Sequence, residues 1–299
     1  MRAIGLSERR SCGLAGLCRT SNRYEGKTKD EGPLRKRLQE LALERPRYGS
    51  PRLAILIRRE FGIVNHKRVE RLYADEGLQL PRRRKSKRRG MGLRRSICAP
   101  NEPNQRWSMD FMTDSLCDGR RFRTLNIIDD FSRECVCIEV DTSLSGKRVV
   151  RVLESIECER RLPGTILVDN GPEFTSTAFL SWCESKGIGL HFIDPGKPVQ
   201  NAHIESFNGK FRDECLNEHW FVNLDHARNI IRNFRHAYNE DRPHSSLGYL
   251  TPSAFRLAFE EDVSVGAPLL RAASDESRLE PFSAPSPLPS LRRWMEVLL

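Results

Sequence analysis

Residues 81–96, PRRRKSKRRGMGLRRS, carry nine Lys or Arg and no acid. Such a run has no apolar face to bury and repels itself, so no single core can be built across it. It therefore divides the chain into parts that must fold separately. Charge divides the same way: residues 1–100 hold 27 Lys/Arg against 10 Asp/Glu, a balance of +17, whereas residues 101–299 hold 23 against 30, a balance of −7. That asymmetry points to a polyanion-binding front end joined to a chemically different body, with nucleic acid as the expected polyanion. The run itself (Arg82, Arg83, Arg84, Lys85, Lys87, Arg88 and Arg89 at its dense end) reads as a charged tether lying along DNA, in preference to a nuclear-localisation signal.

Upstream of the tether the apolar residues recur at helical spacing. Residues 1–32 form a polar opening with one short helix in SERRSCGLAGL, and residues 33–80 read as three helices. In the first, Leu34, Leu38 and Leu41 share a face behind Pro33; in the second, Ser50 is the expected N-cap, Pro51 the first helical residue, and Leu53, Leu56 and Ile57 the core. The third opens on Asn65, buries Val69, Leu72 and Tyr73, and stops at Gly77. Three compact helices whose last begins with His66, Lys67 and Arg68 fit a helix-turn-helix module that presents those residues to phosphates or base edges. A plain three-helix bundle with a solvated basic end fits the same pattern.

After the linker, residues 81–100, the period changes from helix to strand. RWSMDFMTDS, FRTLNIIDDFS and RECVCIEVD follow one another at hairpin spacing. A helix over SGKRVVRVLESIECER, the strand TILVD, a helix over STAFLSWCESKG and the strand IGLHFID come next, and two helices close the pattern. Three antiparallel strands followed by alternating helix and strand imply an α/β mixed sheet with flanking helices over residues 101–258. Residues 259–299, rich in Pro and Ser, are expected to be disordered.

Several classes drop out. The nine cysteines include no CxxC and no zinc-finger spacing, so a structural zinc is not expected. No apolar run approaches the ~18–20 residues that span a bilayer, and the basic opening is interrupted by Glu8 before any signal-like stretch. The expected location is cytoplasmic.

Three carboxylates stand out by position. Asp110 interrupts an otherwise apolar strand, where an unpaired charge is costly. Asp169 ends the strand TILVD just before Asn-Gly, at the strand end where α/β sheets place ligands; it could equally cap that turn. Glu205 follows a small-residue loop onto a helix whose buried stripe is Ile204, Phe207 and Phe211, and it shares the neighbouring stripe with Asn208 and Arg212. A solvated helix face is the ordinary reading of that stripe, and Glu173 competes locally with Asp169. Asn170 and Asn201 read as turn caps, and His203 and His244 as satisfied or exposed histidines.

WSMDFM, LVDNGPEF, PGKPVQNAHIESFNGKFRDECLN and YNEDRPHSSLGYLTPSAF together resemble the integrase core of bacterial insertion-sequence transposases, in particular the OrfB product of the IS-three family, which shares its core with retroviral integrases. YGSPRLAILIRREFGIVNHKRVERLYADEGL resembles the helical DNA-binding module that precedes that core, so the likeness runs from about residue 7 to 258. The resemblance implies a ribonuclease-H-like fold in which Asp110, Asp169 and Glu205 are the catalytic metal ligands. It implies Mg²⁺ or Mn²⁺, as two ions, and strand cleavage and transfer at the ends of a mobile element. Lys210 and Arg212, beyond Glu205 on its helix, would hold substrate DNA. Terminal-repeat and target DNA, self-association on DNA and an upstream-frame partner protein are the implied partners. A ribonuclease-H-like nuclease, or a decayed copy that only binds DNA, are the alternatives.

Overall fold

The computed structural model describes residues 7–23, 30–81, 99–193 and 201–265. It divides into two compact units, Met1–Lys87 and Arg88–Leu299. Most of the basic tether, including Arg82 to Arg89, lies outside the described residues.

The first unit contains α1 (Glu8–Leu14), α2 (Arg19–Asn22), α3 (Gly32–Glu44), α4 (Ser50–Phe61) and α5 (His66–Asp75). The expected stripes meet in one core: Leu34, Leu38 and Leu41 of α3 pack with Leu53, Ala54 and Ile57 of α4 and with Val69, Leu72 and Tyr73 of α5. Two details differ from the sequence reading. Gly49, extended and without a side chain, is the N-cap of α4, and its carbonyl accepts the Arg52 and Leu53 N–H groups, so Ser50 is already helical. Ala54 joins the core while Leu56 is only partly buried, because the stripe runs through 53, 54 and 57. Asn65 caps α5 as expected, accepting the Lys67 N–H at 2.9 Å. Gly62 and Gly77 end their helices at φ 73° and 67°, a conformation glycine adopts without a Cβ clash.

The second unit is a five-stranded sheet of order β3-β2-β1-β4-β5. β1 (Arg106–Ser115), β2 (Arg121–Asp129) and β3 (Cys135–Asp141) form an antiparallel meander; β4 (Thr165–Val168) and β5 (Gly189–Phe192) add in parallel on the β1 side. Strand alternation sends Trp107 and Met109 to one face, where they pack with α6 (Gly146–Glu157) and α7 (Thr177–Ser185). Met112, Phe122 and Ile128 go to the other, under α8 (Ala202–Glu214) and α9 (Leu224–Glu240). This is the ribonuclease-H-like arrangement expected from the sequence.

Contacts at the margins hold this sheet in place. α9 covers the β3 edge: Asn239 pairs with both the N–H and the carbonyl of Cys135, and Arg235 and Arg228 donate to the carbonyls of Cys135 and Val140. These bonds occupy three backbone groups, at the two ends of a strand edge otherwise open to another chain. Arg242, only 2% exposed, forks onto Glu214 at 2.6 and 2.8 Å and so ties the end of α8 to the chain after α9. At the start of α6, a Cβ on Gly146 would lie 1.9 Å from Ser176 Oγ and 2.8 Å from the Glu173 carbonyl. Only a hydrogen lets these backbones meet.

A last helix, α10 (Pro252–Val265), runs seven residues into the segment expected to be disordered. Its composition hid an aromatic anchor: Phe255 and Phe259, one turn apart, both contact Phe131, with ring centroids 5.4 and 4.9 Å away. Arg256 adds an ion pair to Glu134. Residues 266–299 of that segment lie outside the described residues.

Candidate active site

Asp110 projects from β1 on the face that carries α8, since its neighbours Met109 and Phe111 belong to the opposite core. Its carboxylate is half-buried: Oδ1 accepts the Phe111 N–H at 2.8 Å and Oδ2 accepts Nδ2 of Asn208 at 2.7 Å. Burial pushes the Asp110 carboxyl up to about 6, and the negative charges of Asp169 and Glu205 push in the same direction, against the Phe111 N–H and the Asn208 amide. The three acidic groups singled out in the sequence therefore face one another electrostatically.

Register explains how the first two meet. β1 and β4 run parallel with Ser108 beside Leu167, and two residues further on Asp110 comes beside Asp169. Asp169 sits just past the end of β4 and is exposed, and its Oδ1 also accepts the Gly171 N–H at 3.0 Å. The turn-capping role left open in the sequence thus coexists with a place at the strand ends. Glu205, exposed in the first turn of α8, faces the same edge. The rest of its stripe follows β1: Asn208 bonds Asp110, and Arg212 reaches the Thr113 carbonyl at 3.3 Å and Asp114 at 3.8 Å.

The site also contains residues that the sequence did not mark. Asn126 of β2 pairs across the strands with Asp110, is fully buried, and donates Nδ2 to Asn208 Oδ1 at 2.8 Å. Asn208 was visible as a stripe-mate of Glu205, whereas Asn126 lies in an apolar run with no distinguishing signal. Glu173, the local competitor, is committed to Arg123, whose guanidinium lies 4.5 Å from the Phe111 ring centroid. His203 is held down at about 4, first by burial and then by the charges of Arg133, Arg106 and Lys210, so it is neutral at physiological pH. Asp130, buried, binds Arg106 and Ser108 at 2.6 and 2.7 Å, a structural cluster at the first residues of β1.

The donor set would suit a hard divalent cation: every side-chain donor is an oxygen, two of the three carboxylates are exposed, and the bonds to Asp110 leave a lone pair on each of its oxygens. The carboxylates converge without closing. Among the described residues, no three His, Cys, Asp or Glu side chains stand close enough to enclose one ion.

The expected DNA contacts fall out unevenly. His66 and Lys67 open α5 and are exposed. Arg68 is instead drawn to Glu31 at 3.1 Å, a carboxylate that also takes Arg71 at 2.5 Å and Arg35 at 3.4 Å. Lys210 is half-buried, and Arg212, 43% exposed, is shared with Asp114. Arg82, Arg83, Arg84, Lys85, Lys87, Arg88 and Arg89 lie outside the described residues. Among the described residues no helix is long and apolar enough to cross a membrane.

Comparison with known proteins follows the same division of the chain. Residues 29–86 match the HTH-like domain family; residues 100–198 and 186–252 match two families each described as Integrase core domain. The chain is 50% identical over 254 residues to the Insertion element IS407 uncharacterized 31.7 kDa protein of Burkholderia multivorans, covering 84% of this chain and 91% of that one. It is 50% identical over 251 residues to the Insertion element IS476 uncharacterized 39.2 kDa protein of Xanthomonas euvesicatoria, covering 84% and 72%. The Putative transposase InsK for insertion sequence element IS150 of Escherichia coli is 27% identical over 239 residues, covering 75% and 82%.

Proposed function

The chain belongs to the insertion-element transposases that join an HTH-like domain to an integrase core, and on that premise we propose that Asp110, Asp169 and Glu205 form its catalytic site for DNA cleavage and strand transfer at element ends. The observation that carries this reading is that the parallel register of β1 and β4 brings Asp110 and Asp169 to one sheet edge, while α8, which bears Glu205, is bonded to Asp110 through Asn208. Pooled negative charge beside exposed strand ends attracts divalent cations, and Mg²⁺ or Mn²⁺, as a pair, would be held by these three side chains. The chemistry supplied at such a site would be activation of a water or 3′-hydroxyl and stabilisation of the leaving oxygen in an in-line phosphoryl displacement.

The chain's own contribution is placement. β1 and β4 fix the spacing of Asp110 and Asp169, and α8 brings Glu205 to them while its Asn208 holds one oxygen of Asp110. No side chain serves as a covalent nucleophile. His66 and Lys67 on α5, Lys210 and Arg212 on α8, and the tether from Arg82 to Arg89 would meet DNA phosphates, with Arg68 contributing less because Glu31 holds it. Terminal repeats and target DNA are the proposed partners, with self-association on DNA and an upstream-frame protein completing the assembly.

The test is nicking of a labelled duplex carrying the element's terminal repeat, with Mg²⁺ or Mn²⁺. Asp110→Asn, Asp169→Asn and Glu205→Gln should each bind the duplex and lose cleavage by several orders of magnitude, whereas Glu173→Gln should lose far less. Near-normal cleavage by the Glu205→Gln protein overturns the assignment. DNA binding with no cleavage by the unaltered chain would leave only a DNA-binding role.

A further inference from the structure

Asn126 is an anomaly in its strand. It is fully buried between Leu125 and Ile127, on the face shared with Phe122 and Ile128, and only half of its amide is satisfied. Nδ2 donates to Asn208 Oδ1 at 2.8 Å, while Oδ1 has no hydrogen-bond partner. A leucine there would carry no orphaned carbonyl, so stability alone does not account for the asparagine.

The direction of each bond follows from the carboxylate at the far end. Ionised Asp110 only accepts, so Asn208 must turn its NH₂ toward Asp110 and its carbonyl toward Asn126. Asn126 must then present its own NH₂, which leaves its carbonyl facing the core. The orphaned Oδ1 is the far end of a chain of constraints that starts at Asp110.

We propose that Asn126 is a positioning residue for the metal site, acting through Asn208 to hold the Asp110 carboxylate in the orientation that receives a divalent cation. The proposal rests on the reading of Asp110 as a ligand. Cross-strand pairing makes the arrangement rigid: Asn126 and Asp110 sit opposite each other on β1 and β2, so a single amide from α8 spans both and ties the helix that carries Glu205 to the strand that carries Asp110.

Thr124 supplies a matched control. It lies two residues earlier on the same face of β2, is buried, and its hydroxyl is likewise without a partner, but it stands opposite Met112 rather than Asp110. In the full-length chain, Thr124→Val should melt at or above the temperature of the unaltered protein and Asn126→Leu within a few degrees of it, since leucine removes one orphaned carbonyl but takes the donor from Asn208 Oδ1. Asn126→Leu should weaken Mn²⁺ binding to DNA-free protein, measured by calorimetry, and slow cleavage at saturating DNA by about 10–100-fold, with DNA affinity unchanged. Thr124→Val should change neither.

If Asn126→Leu does not fold, Asn126→Ser, too short to reach Asn208, carries the same expectation. Wild-type Mn²⁺ affinity and cleavage in a folded Asn126 variant overturn the proposal. Asp110→Asn separates the two levels. Cleavage by that protein would sink the ligand reading, whereas loss of cleavage there with a normal Asn126→Leu protein sinks only the relay.

Discussion

Replacing Asp110 with asparagine should stabilise the metal-free protein while abolishing its chemistry. The carboxyl is pushed from its ordinary 3.8 up to about 6, so the folded state holds its proton more tightly than the unfolded chain does. Stability associated with that group is complete below 3.8, is lost as pH rises to about 6, and stays lost above it. At about 1.36 kcal/mol per pH unit, the ionised side chain weakens the fold at pH 7.5 by up to about 3 kcal/mol. Asparagine removes that penalty but sets its NH₂ against the Asn208 NH₂, which costs about 1 kcal/mol unless the amides reverse. A net gain of about 1–2 kcal/mol should raise the melting temperature of the catalytic unit by roughly 2–8 °C. Scanning calorimetry without divalent ions at pH 7.5 and pH 4.5 measures it. The gain should shrink at the lower pH, where the native carboxyl is largely protonated, and millimolar Mg²⁺ should narrow it by stabilising only the native protein. An Asp110→Asn protein that melts at or below the native one at pH 7.5, or with the same offset at both pH values, refutes the reasoning.

Three further outcomes are expected. Arg242→Met should cost about 1.5–3 kcal/mol by removing the two charge-assisted bonds onto the part-buried Glu214 carboxylate, and adding Glu214→Leu should restore part of it; urea unfolding of the three proteins decides. Asn239→Ala should cost about 1–3 kcal/mol by leaving the N–H of Cys135 unpaired at the β3 edge and its carbonyl to Arg235 alone, with increased self-association in light scattering. In DNA binding, Lys67→Ala should flatten the log–log salt dependence by about 0.9, the slope of one phosphate contact, while Arg68→Ala should flatten it less because Glu31 already holds that side chain; equal changes would count against the division.

The elements were legible where periodicity was strong. Leu34, Leu38 and Leu41, or Val149, Val152, Leu153 and Ile156, mark one helix face each, and those faces are the buried ones. α10 was missed because Pro and Ser dominate the segment beyond it, while its anchor is a tertiary contact between Phe259 and Phe131, 128 positions apart in sequence. Asp110, Asp169 and Glu205 could be singled out because a charge in a strand, at a strand end or after a small-residue loop is locally conspicuous. Asn126 could not, since nothing local sets one Asn apart in a β-rich run; only strand register reveals that it faces Asp110. The same holds for Arg242, whose burial against Glu214 depends on how the chain returns after α9.

Gly146 gives the molecule a point of fragility at a residue with no side chain of its own. The loop that bears Asp169 and Glu173 rests on bare backbone there, with Ser176 Oγ bonded to the Glu173 carbonyl directly over the missing side chain. The Ser176 hydroxyl can rotate away, but Ser176 Cβ and the Glu173 carbonyl, each 2.8 Å from that position, cannot. A single added methyl must displace the loop or the start of α6. For a mobile element, one codon change at Gly146 is expected to impair a copy in which Asp110, Asp169 and Glu205 all remain. Counting the acidic residues of a chain like this one would therefore overstate how many copies can still move.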